Sequence, residues 1–239
     1  MTVIALDPVR HAHLCKASAP DLAYASQLDH ALIGLGEVAL AAADYPLVLL
    51  KDAQTGRFHL AALLGFGGNR NLFVLNGSWH ATYLPETVLR YPFFLDSAAP
   101  LGLAIDEASA LLGRHGERLF DDDGTPTSAT LTMQEQIQRM MRDRTAMSAF
   151  VDHIVEKRLV RPLRISVAYE AGNQTEIGGL YGIDQFALEA LDADTLHHLN
   201  QQGHLAPMHV MIASLFQLNR LEQLHNAAPD RPKVHIVCQ

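Results

Sequence analysis

The sequence predicts an α+β protein, with an antiparallel sheet in the N-terminal half packed with helices mainly from the C-terminal half. Three observations carry this. Residues 45–105 alternate short apolar runs with turn signals, and their connections are too short for the crossover helix that parallel strands need. Asn76-Gly77 stands between the apolar runs 72–75 and 79–84, and that dipeptide supplies the positive φ angles of a tight hairpin. After residue 130, apolar residues return at helical spacing: Ile137, Met140, Met141, Met147, Val151, Ile154 and Val155.

Each element has its own signal. Residues 2–6 read as a strand that Pro8 ends. Residues 22–43 are rich in Ala and Leu and read mainly as helix, interrupted near Gly34 and Gly36, with the Glu37 carboxylate well placed in the first turn of 37–43. Strands 45–51 and 58–66 flank a turn at 52–56, and Gly65-Phe-Gly-Gly-Asn69 ends the second. Pro85 opens a short helical turn, since its ring fits a first helical position. Pro92 closes it, since the residue before a proline is pushed out of the helical region. A short strand at 101–105 leads into an acidic loop, 106–128. Thr132 with Glu135 is a capping-box signature for the longest helix, which ends before Pro162. Ile165, Val167 and Tyr169 share one strand face, Gly172-Asn173 turns the chain, and 175–181 returns. Asp184 and Asp192 are placed as N-caps and Gly203 as a C-terminal cap. Pro207 opens the last helix, with Met208, Met211, Ile212, Leu215, Leu218 and Leu221 facing inward. The expected organisation is one domain over 1–226, divisible into lobes 1–125 and 126–226, followed by a loose tail at 227–239.

Composition excludes several functions. The net charge of −8, from 18 basic and 26 acidic residues, argues against nucleic-acid binding, which rests on neutralising phosphates. The hydrophobic fraction of 49% is ordinary, but the charged fraction of 18% is low, which favours a partner surface or self-association. No stretch is apolar for the length a membrane span needs. Cys15 and Cys238 have neither metal-ligand spacing nor a disulfide framework, and the first residues carry no signal-peptide pattern, so the expected location is cytoplasmic. Any surface role would need a non-classical export route. Acids dominate 96–123 and bases dominate 139–164, a pattern that fits either two facing segments or two solvated faces.

Motif by motif, common structural roles compete with chemistry. The glycines at 65–68 lack the Gly-Lys-Ser/Thr of a phosphate loop. Asp121-Asp-Asp-Gly124 misses the calcium-loop register. The pairs His11/His13 and His197/His198 have no second pair at structural-zinc spacing, and neighbours such as 197 and 198 point to different faces of a helix. No metal and no cofactor is expected.

The densest aromatic stretch holds the only Trp, Trp79, and reads Asn71-Leu72-Phe73, Gly77-Ser78-Trp79, Tyr83-Leu84-Pro85 and Arg90-Tyr91-Pro92-Phe93. This string resembles the bacterial SapC family. Agreement continues upstream at Asp44-Tyr45-Pro46, and downstream at 104–107, 119–124 and 179–184 and in a helix with His209 and Ser214, spanning roughly 9–224. Pro207-Met208-His209 replaces the aliphatic-Tyr-Ala-His run common in that family. The resemblance implies a bacterial protein whose family is named from a surface-layer gene cluster, and it brings no particular reaction with it.

Two classes of function follow. The first is a binding or accessory module for a peptide or protein, in which Trp79, Tyr83, Arg90, Tyr91, Asp106 and His209 form the ligand-binding set. The second is an enzyme acting on a peptide or small carboxylate-bearing substrate around Tyr83, Arg90, Asp106 and His209. The sequence offers no nucleophile–base pair or cofactor motif for the second, so the first leads. Arg90 is the charged centre of the patch, able to bind a carboxylate or stack on a ring; a salt bridge to Asp44 or Asp106 is the commoner role.

Overall fold

Leu47–Lys51 and Phe58–Leu63 are apolar runs joined by a turn in which Asp52 Oδ1 accepts the Gln54 and Thr55 N–H groups at 2.9 and 2.6 Å. They pair antiparallel at the middle of a five-stranded sheet. In the computed structural model, which describes residues 2–66, 68, 70–170, 172–228 and 232–238, its order is Val160–Pro162, Leu180–Ile183, Leu47–Lys51, Phe58–Leu63, His30–Leu32. All four pairings are antiparallel. The fold class is α+β, as predicted.

The chain divides into two compact units, each discontinuous in sequence. One comprises Met1–Leu22 and Glu86–Arg142. It holds an antiparallel sheet of Val3–Ala5, Leu103–Asp106 and Phe93–Leu95, and a small one in which Leu112–Gly113 and Glu117–Arg118 both pair with Cys15–Lys16. Leu6, Phe93, Leu103, Ile105, Leu119, Phe120 and Ile137 form its core. The other unit comprises Ala23–Pro85 and Asp143–Gln239. It holds the five-stranded sheet, a three-stranded sheet in the order Gln174–Ile177, Ile165–Tyr169, Val234–Cys238, and the hairpin Val74–Leu75/Ser78–Trp79. Its largest fully buried side chains include Tyr45, Phe73 and Phe150. The longest helix, Ser128–Glu156, contributes residues to both units.

The hairpin is as predicted: Leu75 faces Ser78 across two residues at positive φ, Asn76 at 50° and Gly77 at 72°. Asp184 Oδ1 accepts the Ala187 N–H at 3.1 Å and Asp192 Oδ1 the Thr195 N–H at 2.9 Å, so both act as N-caps. Met208, Met211, Leu218 and Leu221 are buried on Leu205–Ser214 and Leu218–Asn226, which a 3₁₀ turn at Leu215–Gln217 joins.

Four expectations are corrected. Residues 22–43 are not mainly helix: only Leu22–Ala25 and Val38–Ala41 are α-helical, and His30–Leu32 is an edge strand on Phe58–Leu63. Cross-strand pairing there outweighs the helical propensity of Ala and Leu. The long helix starts a turn before Thr132, at Ser128, because the Thr127 hydroxyl takes the Thr130 N–H at 3.4 Å. The acidic loop contains two short strands, whose partner lies about a hundred residues upstream and leaves no local pattern. Part of the tail is not loose: Val234–Cys238 pairs along the whole of Ile165–Tyr169, and the Asn226 side chain bonds Val234 N–H and C=O at 2.8 Å each.

Of the glycine run after the second strand, residues 67 and 69 lie outside the described residues. Gly65 itself is required, because a Cβ there would stand 2.0 Å from the Arg70 carbonyl oxygen. Among the described residues, no helix is long and apolar enough to cross a membrane.

Candidate functional site

The chain after the hairpin, residues 80–83, carries no regular secondary structure, so its backbone groups need side-chain partners. Asp44 supplies them. Its carboxylate is buried, and Oδ2 accepts the N–H groups of Thr82 and Tyr83, each at 2.8 Å. Oδ1 pairs with Arg220 Nη1 at 3.0 Å, and Arg220 Nη2 donates to the His80 carbonyl at 2.9 Å. The same guanidinium lies over the Phe73 ring, 5.7 Å from its centroid. One acid and one base thus hold the segment from both sides.

Three aromatic residues complete the arrangement. Tyr45 is fully buried and its hydroxyl donates to the Tyr83 carbonyl. Burial pushes that hydroxyl far above its ordinary pKa, so it remains a donor at any physiological pH. Trp79 Nε1 lies 3.2 Å from both Tyr45 Oη and the Tyr83 carbonyl. The Tyr83 hydroxyl donates to Glu37 Oε1 at 2.8 Å, while Glu37 Oε2 accepts the Gly34 N–H at 2.8 Å. Gly34 sits tightly there, since a Cβ would come 3.1 Å from Asp143 Cβ. The Phe73 ring meets Tyr45 edge-on at 4.7 Å and stacks with Trp79 at 6.4 Å.

Arg90, Tyr91 and Asp106 belong to the other unit. Arg90 Nη1 donates to the Phe93 carbonyl at 2.6 Å, and its guanidinium lies 4.9 Å from the Phe94 ring centroid. Tyr91 is buried, and its hydroxyl donates to Asp106 Oδ2 at 3.0 Å. Asp106 Oδ1 accepts the Thr2 N–H at 2.7 Å and the Ala108 N–H at 3.2 Å. Burial acts to raise the Asp106 carboxyl, but the Thr2 N–H, the Tyr91 hydroxyl and the Ala108 N–H outweigh it and hold it below its ordinary value. Burial is also the main cause that raises the Tyr91 hydroxyl.

Of the six predicted site residues, the structure joins Trp79 with Tyr83, and Tyr91 with Asp106. His209 stands exposed on Leu205–Ser214. Sequence reasoning singled out none of Glu37, Asp44, Tyr45 and Arg220 as site residues. The family string contained Asp44-Tyr45, which was a usable signal; Arg220 had none, being one more base on an amphipathic helix. Among the described residues, no group of three or more His, Cys, Asp or Glu side chains is arranged to hold a metal ion. Cys15 is a buried free thiol and Cys238 an exposed one.

Chemically, these side chains are acceptors and donors matched to backbone groups, and of the aromatic rings among them Tyr45, Phe73 and Tyr91 are buried while Trp79 and Tyr83 are partly exposed. No curated protein and no solved structure matches the chain. The family model that matches is SapC, over residues 6–221, which include the Asp44–Arg220 pair, the aromatic hairpin and the Tyr91–Asp106 pair. This chain belongs to the SapC family.

Proposed function

We propose that this SapC-family protein is a binding module, which takes a protein or peptide partner or a second copy of itself, and that it works in the cytoplasm. The observation that carries the reading is a contrast. The polar atoms around Tyr83 and Asp106 are turned inward onto backbone and onto each other. Two phenylalanines of the larger unit are turned outward: Phe186 is 83% exposed and Phe216 is 79% exposed. Leaving such a ring in water forfeits about 1.5–3 kcal/mol that burial would supply. Aromatic rings also give contact area at low entropic cost, which suits a contact surface. Trp79, Tyr83, Arg90 and His209 are the proposed accessory contacts. Tyr91 and Asp106, buried and bonded to each other, tie the chain just before Phe93–Leu95 to the end of Leu103–Asp106. The cytoplasmic setting rests on the two free thiols.

The test compares the full chain with the double variant Phe186→Ser/Phe216→Ser. Light scattering across micromolar concentrations reads self-association, and selection from a displayed library of random peptides reads peptide binding. The expected result is association or peptide capture by the wild type that the folded double variant loses. A wild type that stays monomeric and enriches no peptide beyond the double variant rejects the reading.

A further inference from the structure

Three histidines of the larger unit, from three separate positions in the chain, come together. His153 lies on Ser128–Glu156, His198 on Ala193–Gln201, and His204 at the entrance to Leu205–Ser214. The His153 ring is centred 5.2 Å from that of His204 and 6.0 Å from that of His198. His153 Nδ1 and His204 Nδ1 are 3.1 Å apart. The buried Phe150 ring meets His204 edge-on at 5.3 Å. Gly203, at φ 72°, makes the turn that places His204: it ends the preceding helix and lets the His204 N–H reach the Leu199 carbonyl at 2.9 Å.

Two Nδ1 atoms at that distance share one proton. One imidazole donates and the other accepts, so the contact exists with neutral rings or with a single added proton, and a second proton leaves two donors facing each other. The charges that act on His204 are those of His153 and His198, both of like sign when protonated. Asp152 and Glu156 on the long helix, Lys157 just past its end, Asp194 and His197 on Ala193–Gln201, and His209 on Leu205–Ser214 are titratable side chains close by in sequence, and all are solvent-exposed. His197 turns away to contact Gln201.

We propose that His153, His198 and His204 form a proton-operated latch that holds the helix Ala193–Gln201 and its following turn against the long helix at neutral pH and releases them in acid. Geometry and electrostatics agree. Burial is the largest influence on His204, and the two neighbouring histidines add to it, so its imidazole holds its proton less tightly than the ordinary 6.5. The released state takes up protons first. The closed latch is therefore favoured above about pH 6.5 and weakens as the pH falls through and below that value. Release can be local: Ala193–Gln201 buries only Leu199 fully, whereas Leu205–Ser214 is anchored by Met208, Met211 and a bond from Leu47 N–H to Ser214 Oγ at 2.9 Å.

Two measurements on the full chain test this. NMR titration of the histidine ring protons should place His204 below 6.5. Hydrogen exchange at about pH 7.5 and about pH 5.5, corrected for intrinsic rates, should show residues 193–204 losing protection several-fold in acid while the five-stranded sheet keeps its own. His204→Gln, which cannot be protonated, should hold protection at both pH values; His153→Gln serves the same purpose if the first variant fails to fold. The proposal is overturned by a His204 that titrates at or above 6.5, by protection of 193–204 that is indifferent to pH, or by a folded Gln variant that still opens in acid. A histidine spectrum that shifts on adding a chelator also overturns it, since the cluster would then be holding a metal.

Discussion

Asp44 shows what a single buried charge does here. It accepts two backbone N–H groups and an arginine, so removing it strands three donors at once, whereas removing Arg220 leaves a carboxylate that still has two N–H partners. Arg220 is also partly exposed, with 37% of its side chain in solvent, so water can replace some of what it loses. Asp44→Ala should therefore cost about 3–5 kcal/mol, and Arg220→Ala should cost less, about 1–3 kcal/mol. Urea melts of both variants check the order, and a larger loss for Arg220→Ala contradicts it. Asp106 makes a second prediction at this scale. Its folded-state carboxyl lies below the ordinary 3.8, so the unfolded chain takes up the proton first. Its contribution is whole above about pH 4 and lost as the pH falls through that value toward its folded pKa. Asp106→Asn should lower stability at neutral pH and flatten the acid limb, read as urea midpoints between about pH 7 and about pH 3. The sequence made the aromatic stretch conspicuous, but it hid the acids that hold it. Asp44 and Arg220 lie 176 residues apart, and no local pattern marks such a pair.

Elements were legible where the signal was local. Asn76-Gly77, Asp184, Asp192 and Gly203 each do what their chemistry demands within four residues, and each behaves as expected. Elements that depend on remote pairing were not legible: His30–Leu32, the two short strands on Cys15–Lys16, and Val234–Cys238. The end of the long helix lies between these cases. Proline at 162 fixed the limit, but the helix stops earlier, at Glu156, through a Schellman-type cap. The Leu159 N–H reaches the Ile154 carbonyl at 2.8 Å and the Arg158 N–H the Val155 carbonyl at 3.0 Å. The residue that makes the turn is Arg158 at φ 57°, a conformation that strains any residue with a Cβ. Glycine would relieve that strain and lose part of the gain to its freer unfolded chain. Arg158→Gly should thus stabilise the protein by up to about 1 kcal/mol. A urea midpoint unchanged or lowered in the variant would show that the arginine side chain does more at this exposed position than the backbone strain costs.

At the scale of the whole molecule, charge and apolar surface pull in opposite directions. The net charge of −8 opposes association of like copies, while the outward Phe186 and Phe216 favour it. Which force governs is readable from three dependences. If apolar burial drives association, raising the salt concentration should leave it unchanged or strengthen it, because screening removes the opposing repulsion; a contact built on ion pairs would weaken instead. Lowering the pH should act in the same direction as salt, since the chain's 13 histidines gain protons and reduce the negative charge. That response overlaps in pH with opening of the histidine latch, so it must be read in the His204→Gln background, where repulsion still falls but the latch cannot respond. Temperature gives the third dependence, and the one that neither charge nor the latch can imitate at fixed neutral pH. Burying apolar rings removes structured hydration, so the heat of dilution should change steeply with temperature, with a negative heat-capacity change on association. Dilution calorimetry at two or more temperatures, on the wild type and on Phe186→Ser/Phe216→Ser, measures it directly. A dissociation enthalpy that is flat with temperature, or equally steep in the double variant, would remove the two phenylalanines from the interface and leave association to the polar surface.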